Sequence, residues 1–253
     1  MTVLAFLYHK TPAVVSEDPY DVSLQTFKNQ INMMLDNGVS FIKFADVNNP
    51  EYLNSGMHVA LTFDDGHACN RSAFEFLSDK GIVPTSFIVR AWSQHSAGYL
   101  QATDIRDLSS ICDFGSHGST HRSLAVLSTS DIVEELRDSR RYLEDALGHS
   151  IELMALPGGH SNAKVLSAAG DCGFKIIGNS VADLHRGDCM NVNRACIRGG
   201  GRTQMPLRMA SAGPAYWFSK RMKRKVAEST SLLIGIQNYT QISSLIKKAW
   251  LRF

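Results

Sequence analysis

The feature that most constrains this chain is alternation. Short apolar runs of strand character are separated by stretches of helical periodicity along most of the length, a pattern that favours a parallel sheet with crossover helices, as an open sheet or a closed barrel. The first strand is expected over Val3 to Tyr8. Ser23 then reads as an N-cap, Leu24, Phe27, Ile31, Met34 and Leu35 keep helical spacing, and Gly38 stands where a helix stops. Further strands are expected near 39–44, 58–63, 83–89, 111–114, 151–156 and 174–178, and helices near 68–80, 103–110, 131–147 and from Asn162 to Ala169. At 253 residues the chain has the length of one α/β barrel, so a single main domain is expected over 1–212.

Composition narrows the class. With 44% hydrophobic and 20% charged residues the chain reads as a soluble globular protein. Its longest apolar runs fall far short of the ~20 residues a spanning helix needs. The start does not read as a secretory signal, and the five cysteines (Cys69, Cys112, Cys172, Cys189 and Cys196) form no C-x-x-C pair, so free thiols and a cytoplasmic location are expected. Charge is uneven: from Pro214 onward eight Lys or Arg face one Glu, net +7, which against the chain's +2 leaves −5 for the rest. This basic, partly amphipathic extension over 213–253 reads either as a solvated helical tail or as a segment lying on an anionic membrane surface. The acidic body argues against nucleic-acid binding.

In a parallel α/β fold chemistry collects after the carboxyl ends of strands. Three such ends are rich in functional side chains: Asp64-Asp65-Gly66, Gly115-Ser116-His117-Gly118-Ser119-Thr120-His121, and Pro157-Gly158-Gly159-His160. Two adjacent carboxylates at a buried sheet edge repel each other unless a cation or hydrogen bonds compensate. His117 and His121 can converge on one centre, and with one carboxylate they make the two-His, one-carboxylate set of an open divalent metal site. The other carboxylate is then free to act as a base.

Thr62-Phe63-Asp64-Asp65-Gly66 followed by His117-Gly118-Ser119-Thr120-His121 resembles the first two motifs of the polysaccharide deacetylase family, the NodB-homology or carbohydrate esterase family 4 domain, with Pro157-Gly158-Gly159 at the place of the third and Leu7-Tyr8-His9 similar to the opening strand. The resemblance implies a distorted (β/α) barrel that binds one divalent metal, usually Zn2+, and removes acetyl from N-acetylated sugars. By position it makes Asp65, His117 and His121 the metal ligands, Asp64 the general base, and Pro157, Gly158 and Gly159 substrate-contacting.

Two departures stand out. The family's third motif begins with an Arg two residues before the proline, where this chain has Ala155; Arg194 or Arg198 could supply that cation from another strand. The family's late Leu-x-His, which protonates the leaving amine, has no counterpart after His185, so His185 in Asp183-Leu184-His185 and His160 are the candidates for the acid, with His9 a third. These gaps also admit a binding protein that retains the fold without turnover, and the same chemistry would serve a non-sugar amide. Gly199-Gly200-Gly201 lacks the context of a P-loop and reads as a loop.

Overall fold

The computed structural model describes residues 2–54, 56–185, 187, 189–200 and 203–234. Its contacts divide the chain into two compact units, Met1–Ser211 and Ala212–Phe253.

Among the described residues the first unit is built on nine parallel strands: β1 (Thr2–Tyr8), β2 (Ser40–Ile42), β3 (Met57–Phe63), β4 (Thr85–Ile88), β5 (Asp113–Ser116), β6 (Leu153–Ala155), β7 (Ile176–Gly178), β8 (Asn191–Val192) and β9 (Arg194–Cys196). The order β8-β7-β6-β5-β4-β3-β1-β9 returns on itself, because β8 and β9 are one segment broken only at Asn193. Its first half pairs with β7 and its second half with β1, which closes the sheet into a barrel. The barrel is distorted at β3, whose lower half pairs with β2 and whose upper end, Thr62 and Phe63, pairs with β4.

Helices α1 (Leu24–Asp36), α2 (Pro50–Asn54), α3 (Arg71–Ser78), α4 (Arg90–His95), α5 (Ala102–Leu108), α6 (Thr129–Leu147), α7 (Ala163–Asp171) and α8 (Met205–Ala210) complete this unit. Their ends follow local chemistry. Ser23 accepts from the Thr26 amide at 3.1 Å, Ser128 from Asp131 at 3.2 Å and Asn162 from Val165 at 3.0 Å, each satisfying an orphan N–H of the first turn. Gly148 ends α6 at φ +76°, a left-handed conformation that glycine adopts without penalty. The expected helix at 68–80 is a 3-10 turn at Ala68–Asn70 leading into α3, and α6 starts two residues before the expected Asp131 because Ser128 supplies the cap.

Alternation along β1 and β3 separates two apolar layers. Val3, Ala5, Phe44, Ala60, Phe87, Ala155 and Val192 pack together in the sheet's core. On the other face, Phe27 from α1 meets Tyr8 at 5.1 Å and Phe63 at 5.6 Å between ring centroids, and Phe63 meets Phe74 of α3 at 5.0 Å. These contacts fasten α1 and α3 over the strands that deliver Asp64.

The second unit is described as one helix, α9 (Pro214–Ile234), which carries Lys220, Arg221, Lys223, Arg224 and Lys225 and exposes Phe218 and Met222. The apolar positions Ile236, Tyr239, Ile242, Leu245, Ile246, Trp250 and Leu251 of the expected amphipathic pattern lie outside the described residues. Among the described residues no helix is long and apolar enough to cross a membrane.

Because Phe27 is fully buried between the two strands and α3, Phe27→Ala removes a ring from a site with little room to relax, and is expected to lower stability by about 3–5 kcal/mol in urea unfolding followed by circular dichroism.

Candidate active site at the carboxyl ends of the strands

Asp64 and Asp65 leave β3 in opposite senses. The Asp64 amide donates to the Tyr8 carbonyl at 2.9 Å, so the ladder continues one residue past β3 and holds the side chain inside the barrel mouth. Asp65 then turns at φ +74°, as does His121 at φ +63° on the neighbouring loop; these are the two non-glycine residues with positive φ among the described residues. Such backbone costs of order 1–3 kcal/mol for an L-residue and persists where the surroundings impose it. Both strained residues belong to the same cluster.

That cluster is Asp65, His117 and His121, whose donor atoms lie within 4.8 Å of one another. His117 Nε2 stands 3.5 Å and His121 Nε2 3.4 Å from Asp65 Oδ1. This oxygen is buried without a hydrogen-bond partner, a costly condition for a carboxylate unless something of positive charge takes the place of the missing donor. His117 Nδ1 lies 3.0 Å from the Ala155 carbonyl. A carbonyl only accepts, so Nδ1 carries a ring proton, and in the neutral tautomer it is Nε2 that presents its lone pair to the cluster. Ala155, which lacks the expected guanidinium, therefore serves the site through its backbone.

The electrostatics agree with a cation-binding set. Burial pushes His121 below the usual histidine range, and His117 beside it adds to the effect, keeping the imidazole neutral. Burial alone would raise Asp65, but the His67 hydrogen bond and the surrounding imidazoles outweigh it and hold the carboxyl far below the usual range. One carboxylate oxygen and two imidazole nitrogens converging on a point fit a divalent ion such as zinc.

Asp64 borders this set, its Oδ2 3.8 Å from His117 Nε2, but is held by an arginine. Arg194, entering from β9, donates from Nη1 to Asp64 Oδ1 at 2.7 Å and from Nη2 to Oδ2 at 2.9 Å, a bidentate pair in which both residues are almost completely buried. Arg194 also donates to the Asn179 carbonyl at 3.0 Å and to Thr62 Oγ1 at 3.1 Å, and its guanidinium lies 5.1 Å from the Phe87 ring centroid. Burial raises the Asp64 pKa, but Arg194 and then His117 pull it below the usual carboxylate range. The guanidinium passes β7 where Gly178 stands: a Cβ there would come within 2.4 Å of Arg194 Nε. Of the two arginines open from sequence, Arg194 takes this place. Arg198 instead lies over the Tyr20 ring at 4.9 Å.

The histidines separate. His185 pairs with Val3 at the amino end of β1, its amide donating to the Val3 carbonyl at 2.8 Å. The expectation of a proton donor there is corrected: the segment crosses the opposite edge of the barrel before β8, so its ring is remote from Asp64. His160 follows the turn Pro157–Gly159 at the correct edge but is exposed. His9 directly follows β1, beside Asp64 across the β1–β3 pair, and its buried Nδ1 has no hydrogen-bond partner. Burial lowers its pKa, while Asp64 and Asp65 pull the other way.

Pro157, Gly158 and Gly159 form the turn after β6, with Pro157 buried. A Cβ on Gly159 would meet Ser180 at 2.4 Å, so this glycine serves close packing against the loop after β7. Gly199, expected in a loop, likewise lies against the Asp21 carbonyl, and Gly201 falls outside the described residues.

Three contributors were missed in the sequence. Glu135 of α6, nearly fully buried, accepts from the amides of Ser119 and Thr120 at 2.8 and 2.9 Å and from Arg122, fixing the loop between the two histidines. Its position on the buried face of a helix otherwise rich in exposed charge was the available signal. His67 lies 3.5 Å from Asp65 Oδ2 and stacks on Tyr99 at 4.6 Å. Trp92, on the unanticipated α4, lies 4.7 Å from the His121 ring and 5.2 Å from Tyr99.

The sequence profile of the polysaccharide deacetylase family matches residues 54–177. Among solved structures the chain is similar to the Streptococcus pyogenes deacetylase PplD in complex with acetate, with 21% identity, a TM-score of 0.76 and coverage of 84% of this chain and 99% of that one. It is also similar to IcaB from Ammonifex degensii, with 20% identity, a TM-score of 0.71 and coverage of 83% and 97%, respectively. A polysaccharide deacetylase from Bacillus cereus aligns at 21% identity with a TM-score of 0.71, over 83% of this chain and 69% of its own. At these identities the likeness carries the fold. No curated protein sequence matches the chain.

Gly178→Ala should displace the Arg194 guanidinium and Arg194→Met should strand the buried Asp64 charge. The first is expected to raise the Asp64 pKa as followed by carboxyl NMR, and the second to lower stability by about 3–5 kcal/mol as well. A Gly178→Ala protein with an unmoved Asp64 titration would contradict the packing argument.

Proposed function

With residues 54–177 placing the chain in the polysaccharide deacetylase family, we propose that it is a metal-dependent N-deacetylase that removes acetyl from an N-acetylated amino sugar, in a glycan or glycan precursor of bacterial surface-polysaccharide synthesis. The observation that carries this reading is the division of labour between adjacent carboxylates. Asp65 offers an unpartnered buried oxygen to two imidazoles, whereas Asp64 is kept ionised by Arg194. Asp65, His117 and His121 would hold the ion, and zinc suits two nitrogens and one oxygen. When bound, such an ion polarises the amide carbonyl and lowers the pKa of a coordinated water.

The remaining work falls to the chain. Asp64, ionised and oriented through both oxygens, takes the proton of the attacking water. The amine must leave protonated, and His9 is the imidazole placed for that transfer, at the carboxyl edge beside Asp64 and electrostatically linked to both carboxylates. Half-buried Trp92 and Tyr99, beside His121 and His67, supply an aromatic wall for a sugar ring, with the Pro157–Gly159 turn also at the strand ends. A binding-only relative is motivated by Ala155 and by the absence of a late histidine. Arg194 and His9 occupy those two roles from other strands, which favours turnover.

The protein should release acetate from N-acetylhexosamine oligomers or nucleotide-linked N-acetyl sugars and lose this activity on chelation. Asp64→Asn should lower kcat by 10³-fold or more with metal content unchanged, while His9→Gln should lower kcat by 10²–10⁴-fold. Stoichiometric metal without acetate from any such donor would defeat the proposal.

For the basic segment we propose contact with an anionic membrane surface from the cytoplasmic side, with Lys220, Arg221, Lys223, Arg224 and Lys225 each contributing about 1 kcal/mol. The full chain should co-sediment with phosphatidylserine vesicles and be released by salt; equal binding to neutral vesicles would refute it.

A further inference from the structure

We propose that Cys189, His185 and Asn48 form a reactive-thiol site at the amino edge of the barrel, opposite the carboxylate–histidine cluster, and that its co-reactants are small disulfides. The derivation starts from Asn48. Its Nδ2 donates to the Cys189 carbonyl at 3.2 Å, which fixes which end of the amide is oxygen. Asn48 Oδ1 then lies 2.7 Å from His185 Nε2 and can only accept. The Nε2 atom therefore carries the ring proton, and Nδ1 keeps its lone pair. That atom lies 3.9 Å from Cys189 Sγ.

The order thiol, imidazole, side-chain amide is the arrangement in which a cysteine is activated by a base that a third group orients. The frame is fixed rather than incidental. His185 is 2% exposed and is bound through both backbone groups to Val3, so its ring is immobilised behind the sulfur. Cys189 itself is exposed, so an electrophile reaches the sulfur from solvent. Sγ also lies 3.3 Å from the Asn191 carbonyl, but of these two acceptors only the imidazole can take up the proton.

The exchange balances without an outside oxidant other than the disulfide itself. The Cys189 proton passes to His185 Nδ1, and the thiolate attacks one sulfur of RSSR. The S–S bond breaks, a Cys189–S–S–R bond forms, and the departing RS⁻ takes the proton from Nδ1 to leave as RSH. One thiol and one disulfide are present before and after.

The test uses the full chain with glutathione disulfide at neutral pH, and mass spectrometry to quantify the mixed disulfide at Cys189. The folded protein is expected to form it at least tenfold faster than the same cysteine in the urea-unfolded chain. His185→Gln should bring the rate to within a factor of two of the unfolded value, and Asn48→Ala should lower it at least threefold by freeing the tautomer. Should His185→Gln fail to fold, Asn48→Ala decides alone, since that side chain is only half-buried. A folded-state rate no greater than the unfolded one, or one unchanged by the folded variants, overturns the proposal.

Discussion

A carboxylate enclosed at the mouth of a barrel stays ionised only if a cation is brought to it, and here that cation is the guanidinium of Arg194. The pair spans 130 residues of sequence and is bidentate. Taking two charges out of water is expensive, and their attraction offsets that loss only where geometry is good and the remaining donors are satisfied. Both conditions hold: Arg194 spends other N–H groups on Thr62 and the Asn179 carbonyl, and Thr62 in turn donates to the Phe6 carbonyl at 2.8 Å. One polar chain thus runs from β1 through β3 to the strand that closes the barrel.

Much of the architecture depends on the same seam. The segment 191–196 pairs with β7 and then with β1, so barrel closure and delivery of Arg194 are one event. The surrounding positions are adapted to it: Gly178 leaves space for the guanidinium, and Phe87 lies across it. Structural and functional demands meet in one residue. This explains how Ala155 can stand in the barrel core, lending only its carbonyl to His117, without leaving Asp64 unsupported.

The legible part of the chain was that in which short-range patterns suffice. Caps at Ser23 and Asn162, the glycine stop at Gly148 and the apolar runs of β1 and β3 are local signals with local causes. The closing strand was not legible, because Asn191, Asn193 and Arg194 put polar side chains at half of its six positions, where an interior strand normally carries Val or Ile. Helix α4, short and starting just after β4, fell in a stretch between the expected strand at 83–89 and the expected helix at 103–110 for which no element was expected, and Trp92 with it. His185 resembled a familiar late motif in spacing alone, and spacing does not say which end of a barrel a segment crosses.

By itself the sequence determined which side chains are candidates for holding a metal and for acting as base, since Asp64 and Asp65 are adjacent, His117 and His121 are four apart, and each pair follows one strand. Their proximity is written into contiguous stretches of chain. Tertiary structure alone decided which arginine meets Asp64, that His9 stands beside it, and that His185 faces Cys189 and Asn48 instead. Those partnerships depend on strand order and register around a closed barrel, which are properties of all the strands packed together rather than of any one segment.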